Sequence, residues 1–163
     1  MMDLPPPPQV PNDAPQEMVY ELEQETPLTA ACTNRIVERY DVHPLVLTLI
    51  ATVEGGWAGA RISNTNGTHD LGLMQINTIH LEELSRFGIT EAMLQNNECI
   101  SLGVAAWYVR RVTDGITLST PDDYFRAIAR YHSKNEPHVS VYADKLMDAY
   151  EKLIDQYGAS YGR

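Results

Sequence analysis

Positive charge is scarce in this chain. Lys and Arg together number 12 against 22 Asp and Glu, and the formal net charge is -10. A general nucleic-acid binder needs clustered cations to neutralise phosphates, and a protein held on anionic lipid needs a basic patch, so this balance argues against both. Cysteine is scarcer still. Two residues cannot make a structural zinc site alone or a disulfide-dense scaffold, and they allow at most one bridge within a monomer. Long apolar runs are also lacking. The longest, Leu45 to Val53, is broken by threonines, and no window holds the ~18 apolar residues of a membrane span. Met1 to Pro15 has neither a basic n-region nor a continuous apolar h-region, so no secretory signal is expected there.

The 163 residues suffice for one domain that buries roughly 70% of its unfolded surface. Acid and proline are concentrated at the start. Residues 1–30 hold six acids (Asp3, Asp13, Glu17, Glu21, Glu23, Glu25) and no Lys or Arg, while the remainder has 16 acids against 12 bases. Six of the ten prolines lie in the first 15 residues, four of them consecutive from Pro5 to Pro8. That composition favours polyproline II and lacks the periodicity of a core element. Residues 1–30 are therefore expected to form a flexible leader; a docking arm or a spacer is the functional alternative. Residues 31–158 are expected to form the domain, and 159–163 a tail.

The body reads as helices. Asn34 to Tyr40 suits a short one. His43-Pro44 opens a stronger one, with Leu45, Val46, Leu49, Ile50 and Val53 at helical spacing and Gly55-Gly56 as its stop. Residues 57–69 are rich in turn formers and read as a loop, and Leu71 to Ile76 is too short to assign. Further helices are expected over His80 to Phe87 and Glu98 to Val112. Thr120-Pro121-Asp122-Asp123 is a capped start for a helix to about Tyr131, and a last helix runs from about Val139 to Tyr157. The expected fold class is mainly α, a single helical domain with a short β or loop segment.

Glu54 draws attention by its placement. It lies at the negative end of a helix dipole beside apolar neighbours, and both effects disfavour its charged form. A carboxyl kept protonated near neutral pH can donate a proton to a leaving oxygen. An ordinary exposed glutamate at a helix end is the plain alternative.

Two later segments decide between them. Gly72 to Asn77 reads GLMQIN, and Ala129 to His132 reads ARYH near a helix end. With the helix-ending glutamate about twenty residues upstream, this order and spacing resemble the lysozyme-like lytic transglycosylases over about residues 32 to 150. The longer tracts Glu54-Gly55-Gly56, Asn64 to Thr78 (NTNGTHDLGLMQINT), Phe87 to Thr90 (FGIT) and Asn97 to Ile100 (NECI) resemble the specialised members that accompany conjugation and type IV secretion machines, with relatives in type III secretion and phage virions.

The resemblance implies a lysozyme-like domain that opens peptidoglycan locally in the periplasm or cell envelope, or within a phage virion. Its partners would be glycan strands and components of a machine, with no nucleic acid, no membrane span and no cofactor. Glu54 would be the single catalytic acid and base. Gln75 would hydrogen-bond the glycan, Met74 would line the groove under a sugar, Gly72 would let backbone approach the sugar, and Tyr131 would orient the catalytic carboxyl. Asn77 and His132 would complete the substrate-binding set, although Asn77 also suits a turn. Two positions depart from the family: Gly55 replaces the usual serine and His132 the usual asparagine. They motivate an alternative, a non-catalytic peptidoglycan-binding scaffold. A muramidase using Asp70 as second carboxylate is another, with Asp70 otherwise read as a turn or capping residue. A helical adaptor docked through its leader is a third.

Cys32 and Cys99 suit a reduced buried pair in a reducing compartment. In an oxidising one they suit a bridge worth about 4 kcal/mol. The resemblance to secretion-associated enzymes supports the bridge. The spacings of His43, His69, His80, His132 and His138 match no zinc signature, so no metal site is expected. Trp57, Tyr108, Tyr124, Tyr131 and Tyr142 are the aromatics able to stack on sugars, with Tyr108 equally suited to the core.

Overall fold

A computed structural model describes residues 4–161. Its elements are α1 (Gln16–Glu23), α2 (Ala30–Tyr40), α3 (Pro44–Glu54), β1 (Arg61–Ser63), β2 (His69–Leu71), β3 (Ile76–Asn77), a 3-10 turn (Thr78–His80), α4 (Leu81–Ser85), α5 (Glu91–Asn96), α6 (Glu98–Thr113), α7 (Pro121–Ala129) and α8 (His138–Tyr161). The mainly α class is as expected, with one small antiparallel sheet in the order β1-β2-β3.

Helix α6 is the axis of the fold. Ten of its 16 residues are buried, on every face, as a helix surrounded by others requires. It packs against α2, α3, α5 and α7. Side-chain caps set the helix starts. Thr29, Thr90, Asn97 and Thr120 each accept a backbone N–H of the first turn of α2, α5, α6 and α7. His43 does the same for α3 through its ring, ahead of Pro44 in the first turn. Cys32 and Cys99 form a disulfide with their Cα atoms 6.0 Å apart, tying α2 to α6.

The leader departs from its expected freedom. Val10 is buried in the core, and its N–H donates to the Phe87 carbonyl. Tyr40 and Arg39 of α2 both donate to the Pro6 carbonyl. Residues 16–23 are helical, and Thr26 bridges to Asn97. Short prolines and one valine fill surface hollows of the body without any periodicity of their own, so composition could not reveal them. Residues 1–3 lie outside the described residues.

Smaller differences concern ends. The 57–69 segment holds β1 and the start of β2, too short to leave an alternating pattern. The segment expected as a helix over 80–87 begins as the 3-10 turn and its α-helix stops at Ser85. Helix α8 continues through Gly158 to Tyr161, so the 159–163 tail is helical in its first three residues. Residues 162 and 163 lie outside the described residues.

Candidate active site

Glu54 is the last residue of α3, and Gly55 ends the helix in a left-handed conformation with φ of 63°. The carboxyl is half-buried. Tyr142 of α8 donates its hydroxyl to Glu54 Oε1 at 2.8 Å. Burial is the main cause that pushes the Glu54 carboxyl up to about 7; the Tyr142 hydrogen bond pulls the other way, the Asp70 charge adds to the rise and the Lys145 charge opposes it. Burial also raises the Tyr142 phenol, as does the Glu54 charge, so Tyr142 stays a donor. The rise follows the direction expected for a carboxyl buried beside apolar neighbours, with burial as its first cause.

Two glycines lock the segments around this carboxyl. A Cβ on Gly56 would lie 2.3 Å from the Gly72 carbonyl oxygen and 2.5 Å from that of Leu73. The chain just after Glu54 therefore lies directly on the turn between β2 and β3. Gly72 has φ of 67°, and its Cβ would lie 2.2 Å from the Leu94 carbonyl oxygen at the end of α5. Its backbone approaches α5, which corrects the expectation that it approaches sugar.

The same turn buries Met74 completely. Its N–H donates to Ser101 Oγ at 3.1 Å, and its carbonyl accepts the Tyr131 hydroxyl at 2.7 Å. Two expectations change here. Met74 fills the core and does not line the groove. Tyr131 fixes the β2–β3 turn, and the side chain that hydrogen-bonds the Glu54 carboxyl is Tyr142. That role had a legible signal. Val139, Tyr142, Ala143 and Leu146 are buried at helical spacing, and a buried tyrosine needs a partner for its hydroxyl.

Gln75 and Asn77 line a groove of about 290 Å³ that runs past Glu54. Gln75 has φ of 54°, and its Nε2 donates to the Gly72 carbonyl at 2.9 Å. Asn77 donates through Nδ2 to Asp70 Oδ1 at 2.9 Å and to Thr68 Oγ1 at 3.1 Å, and its Oδ1 accepts the Ile79 N–H. Asn77 therefore braces the hairpin as well as facing the groove. Asn64, Asn66 and Thr68 add neutral polar groups to the wall, and Ile79, Trp107 and Tyr108 add apolar surface. Asp70 lies in the same groove as Glu54. Of the aromatics able to stack on sugars, Tyr108 and Tyr131 line the groove; exposed Trp57 does not. His132 stacks on Tyr142, the rings 4.9 Å apart and 6° from parallel, and lines the groove beside Glu54. No cluster of three or more metal-ligating side chains occurs among the described residues, and no helix among them is long and apolar enough to cross a membrane.

Residues 31–141 match the family model described as the transglycosylase SLT domain. Protein IpgF of Shigella flexneri is 37% identical over 78 residues, which cover 47% of this chain and 51% of that protein. Invasion protein IagB of Salmonella typhi is 31% identical over 129 residues, covering 76% of this chain and 78% of that protein. IagB of Salmonella typhimurium strain LT2 aligns with the same identity and coverage. This chain therefore spans about half the length of the IpgF proteins and about three quarters of the IagB proteins.

Proposed function

This chain belongs to the transglycosylase SLT domain family, and from that premise we propose that it is a peptidoglycan lytic transglycosylase, a lyase that cleaves the β-1,4 bond between N-acetylmuramic acid and N-acetylglucosamine. The observation that carries the reading is the Glu54 carboxyl, half-buried at the groove wall, raised to about 7 and held by Tyr142. In that state it is a proton donor at neutral pH. Glu54 protonates the glycosidic oxygen, and the substrate's own acetamido group stabilises the cationic centre that forms, so no second carboxylate is needed. Glu54, now a base, takes the proton of the C6 hydroxyl. That oxygen closes on C1 to give a 1,6-anhydro ring, and no water is consumed. Gln75, Asn77 and His132 are the polar contacts offered to the glycan.

The reading places the protein in the periplasm or cell envelope, opening the wall locally for a secretion or conjugation apparatus; a phage virion would demand the same chemistry.

The raised carboxyl sets a pH profile. The acid form of Glu54 is active, so turnover declines as pH rises through about 7. Tyr142→Phe removes the hydrogen bond that favours the carboxylate, which raises the Glu54 pKa further. The alkaline limb of kcat/KM against pH is expected to move up while the maximum falls by about tenfold. An alkaline limb that stays in place or moves to lower pH would contradict the role of Tyr142.

The muramidase reading has one observation in its favour, the shared groove of Asp70 and Glu54. Asp70 is, however, bonded to Asn77 within the hairpin. Asp70→Asn is expected to leave turnover of purified sacculi within about tenfold of the parent, whereas loss of a nucleophile or of a base for water costs about 10³-fold or more. A loss of that larger size would favour hydrolysis. Binding to sacculi by the unaltered protein with no release of fragments would favour the non-catalytic scaffold.

A further inference from the structure

Glu54 and His132 line a second cavity as well, of about 240 Å³, between the end of α3 and the first turns of α8. Its remaining wall includes His138, Val141, Tyr142 and Lys145. The two cavities meet at Glu54 but differ in charge. In the main groove the charged neighbour of Glu54 is Asp70, amid neutral amides and hydroxyls, and burial holds His80 toward its neutral form. In the second cavity, leaving Glu54 and Tyr142 aside, the ionisable side chains are Lys145, His138 and the shared His132, which burial holds toward its neutral form as it does His80. In a chain of net charge -10, the Lys145 cation in a cavity that touches the candidate catalytic carboxyl is a local feature of opposite sign.

Lys145 is exposed and takes part in none of the four ion pairs among the described residues. Of the acids near it on α8, Asp148 is paired with Lys152. The Lys145 charge reaches both Glu54 and His132. Such a cation, at the mouth of a cavity that also offers two imidazoles, is suited to a carboxylate that arrives with the ligand.

The peptidoglycan backbone is uncharged where its sugars are N-acetylated. Its carboxylates belong to the stem peptide attached through the lactyl group of N-acetylmuramic acid. Cleavage next to a muramic residue brings that stem close to Glu54. We propose that the second cavity receives a stem-peptide carboxylate, with Lys145 as its counter-ion and His138 as a hydrogen-bonding neighbour, so that the enzyme prefers peptide-bearing glycan to bare glycan. This rests on the reading of Glu54 as the acid of a peptidoglycan-cleaving enzyme.

The test compares two substrates with the full chain: purified glycan strands that carry stem peptides, and the same strands stripped of stems by an amidase, with the lactyl carboxylates that this hydrolysis frees capped as methylamides. The readout is the ratio of kcat/KM on stem-bearing to stripped strands. The unaltered protein is expected to show a ratio well above one. Lys145→Glu is expected to lower it by about tenfold, chiefly through KM on stem-bearing strands, the size of one charge-assisted contact. Lys145→Arg retains the ratio. A parent ratio near one overturns the proposal, and so does a Lys145→Glu ratio equal to the parent's, including equal losses on both substrates. Failure of the underlying reading looks different: Glu54→Gln would then still cleave both substrates.

Discussion

Glu54→Gln is expected to lower the release of fragments from purified sacculi by about 10³-fold, the middle of the range for a single general acid–base group. Two steps depend on this one carboxyl, donation to the glycosidic oxygen and removal of the C6 hydroxyl proton, and an amide does neither. Folding is not expected to suffer. A carboxyl raised from 4.5 to about 7 binds its proton more tightly in the folded state than in the unfolded one. Stability therefore falls as pH rises through that window, and above pH 7 the buried charge costs up to about 3 kcal/mol. Glutamine does not titrate, and its carbonyl can still accept the Tyr142 hydroxyl. The variant should thus match the parent in thermal unfolding near pH 4.5 and exceed it at pH 8. Activity within tenfold of the parent would remove Glu54 from the chemistry. Lower stability at pH 8 would contradict the burial argument.

Loss of the disulfide should produce the largest change in stability. Cys32 and Cys99 are separated by 67 positions in sequence, and closing a loop of that length removes about 4 kcal/mol of chain entropy from the unfolded state. That is a large fraction of the total for a domain of this size. The double substitution of both cysteines by serine is expected to lower the melting temperature by about 10 °C. The effect should reach beyond the bridge. Cys32 lies on α2, whose Ile36 and Tyr40 are buried, and Tyr40 with Arg39 holds the Pro6 carbonyl. Loosening α2 from α6 therefore exposes the leader, and limited proteolysis before residue 15 should accelerate in step. A change in melting temperature below about 2 °C would mean that packing alone holds α2 against α6. Restoring a reducing environment should reproduce the serine phenotype in the parent.

Helices with strong local signals were legible from sequence. The starts at Pro44 and Pro121 and the stop at Gly55 rest on short-range rules of capping and backbone conformation, so local reading reached them. The packing of the leader is not legible locally, for the opposite reason. Pro7, Pro8 and Val10 gain their place from hollows made by distant residues such as Gly88 and Gly103, and no local pattern announces such a fit. Glu54 was legible because helix end, apolar neighbours and motif coincide on one residue. Met74 and Gly72 illustrate the limit of transferring a motif. Their segment does form the groove wall, yet these two residues serve the packing that positions Gln75 and Asn77. Tyr131 and Tyr142 were both in view as aromatics, and only the crossing of α8 over the end of α3 shows which hydroxyl meets the carboxyl.

The central claim is that one carboxyl and no water cleave the strand, and the products record this directly. Purified sacculi digested by the full chain are resolved by liquid chromatography and weighed by mass spectrometry. The account predicts muramic ends that are one water lighter than reducing ends, as a 1,6-anhydro ring requires. Reducing muramic ends from the same digest would contradict it, and would assign the groove to a hydrolase.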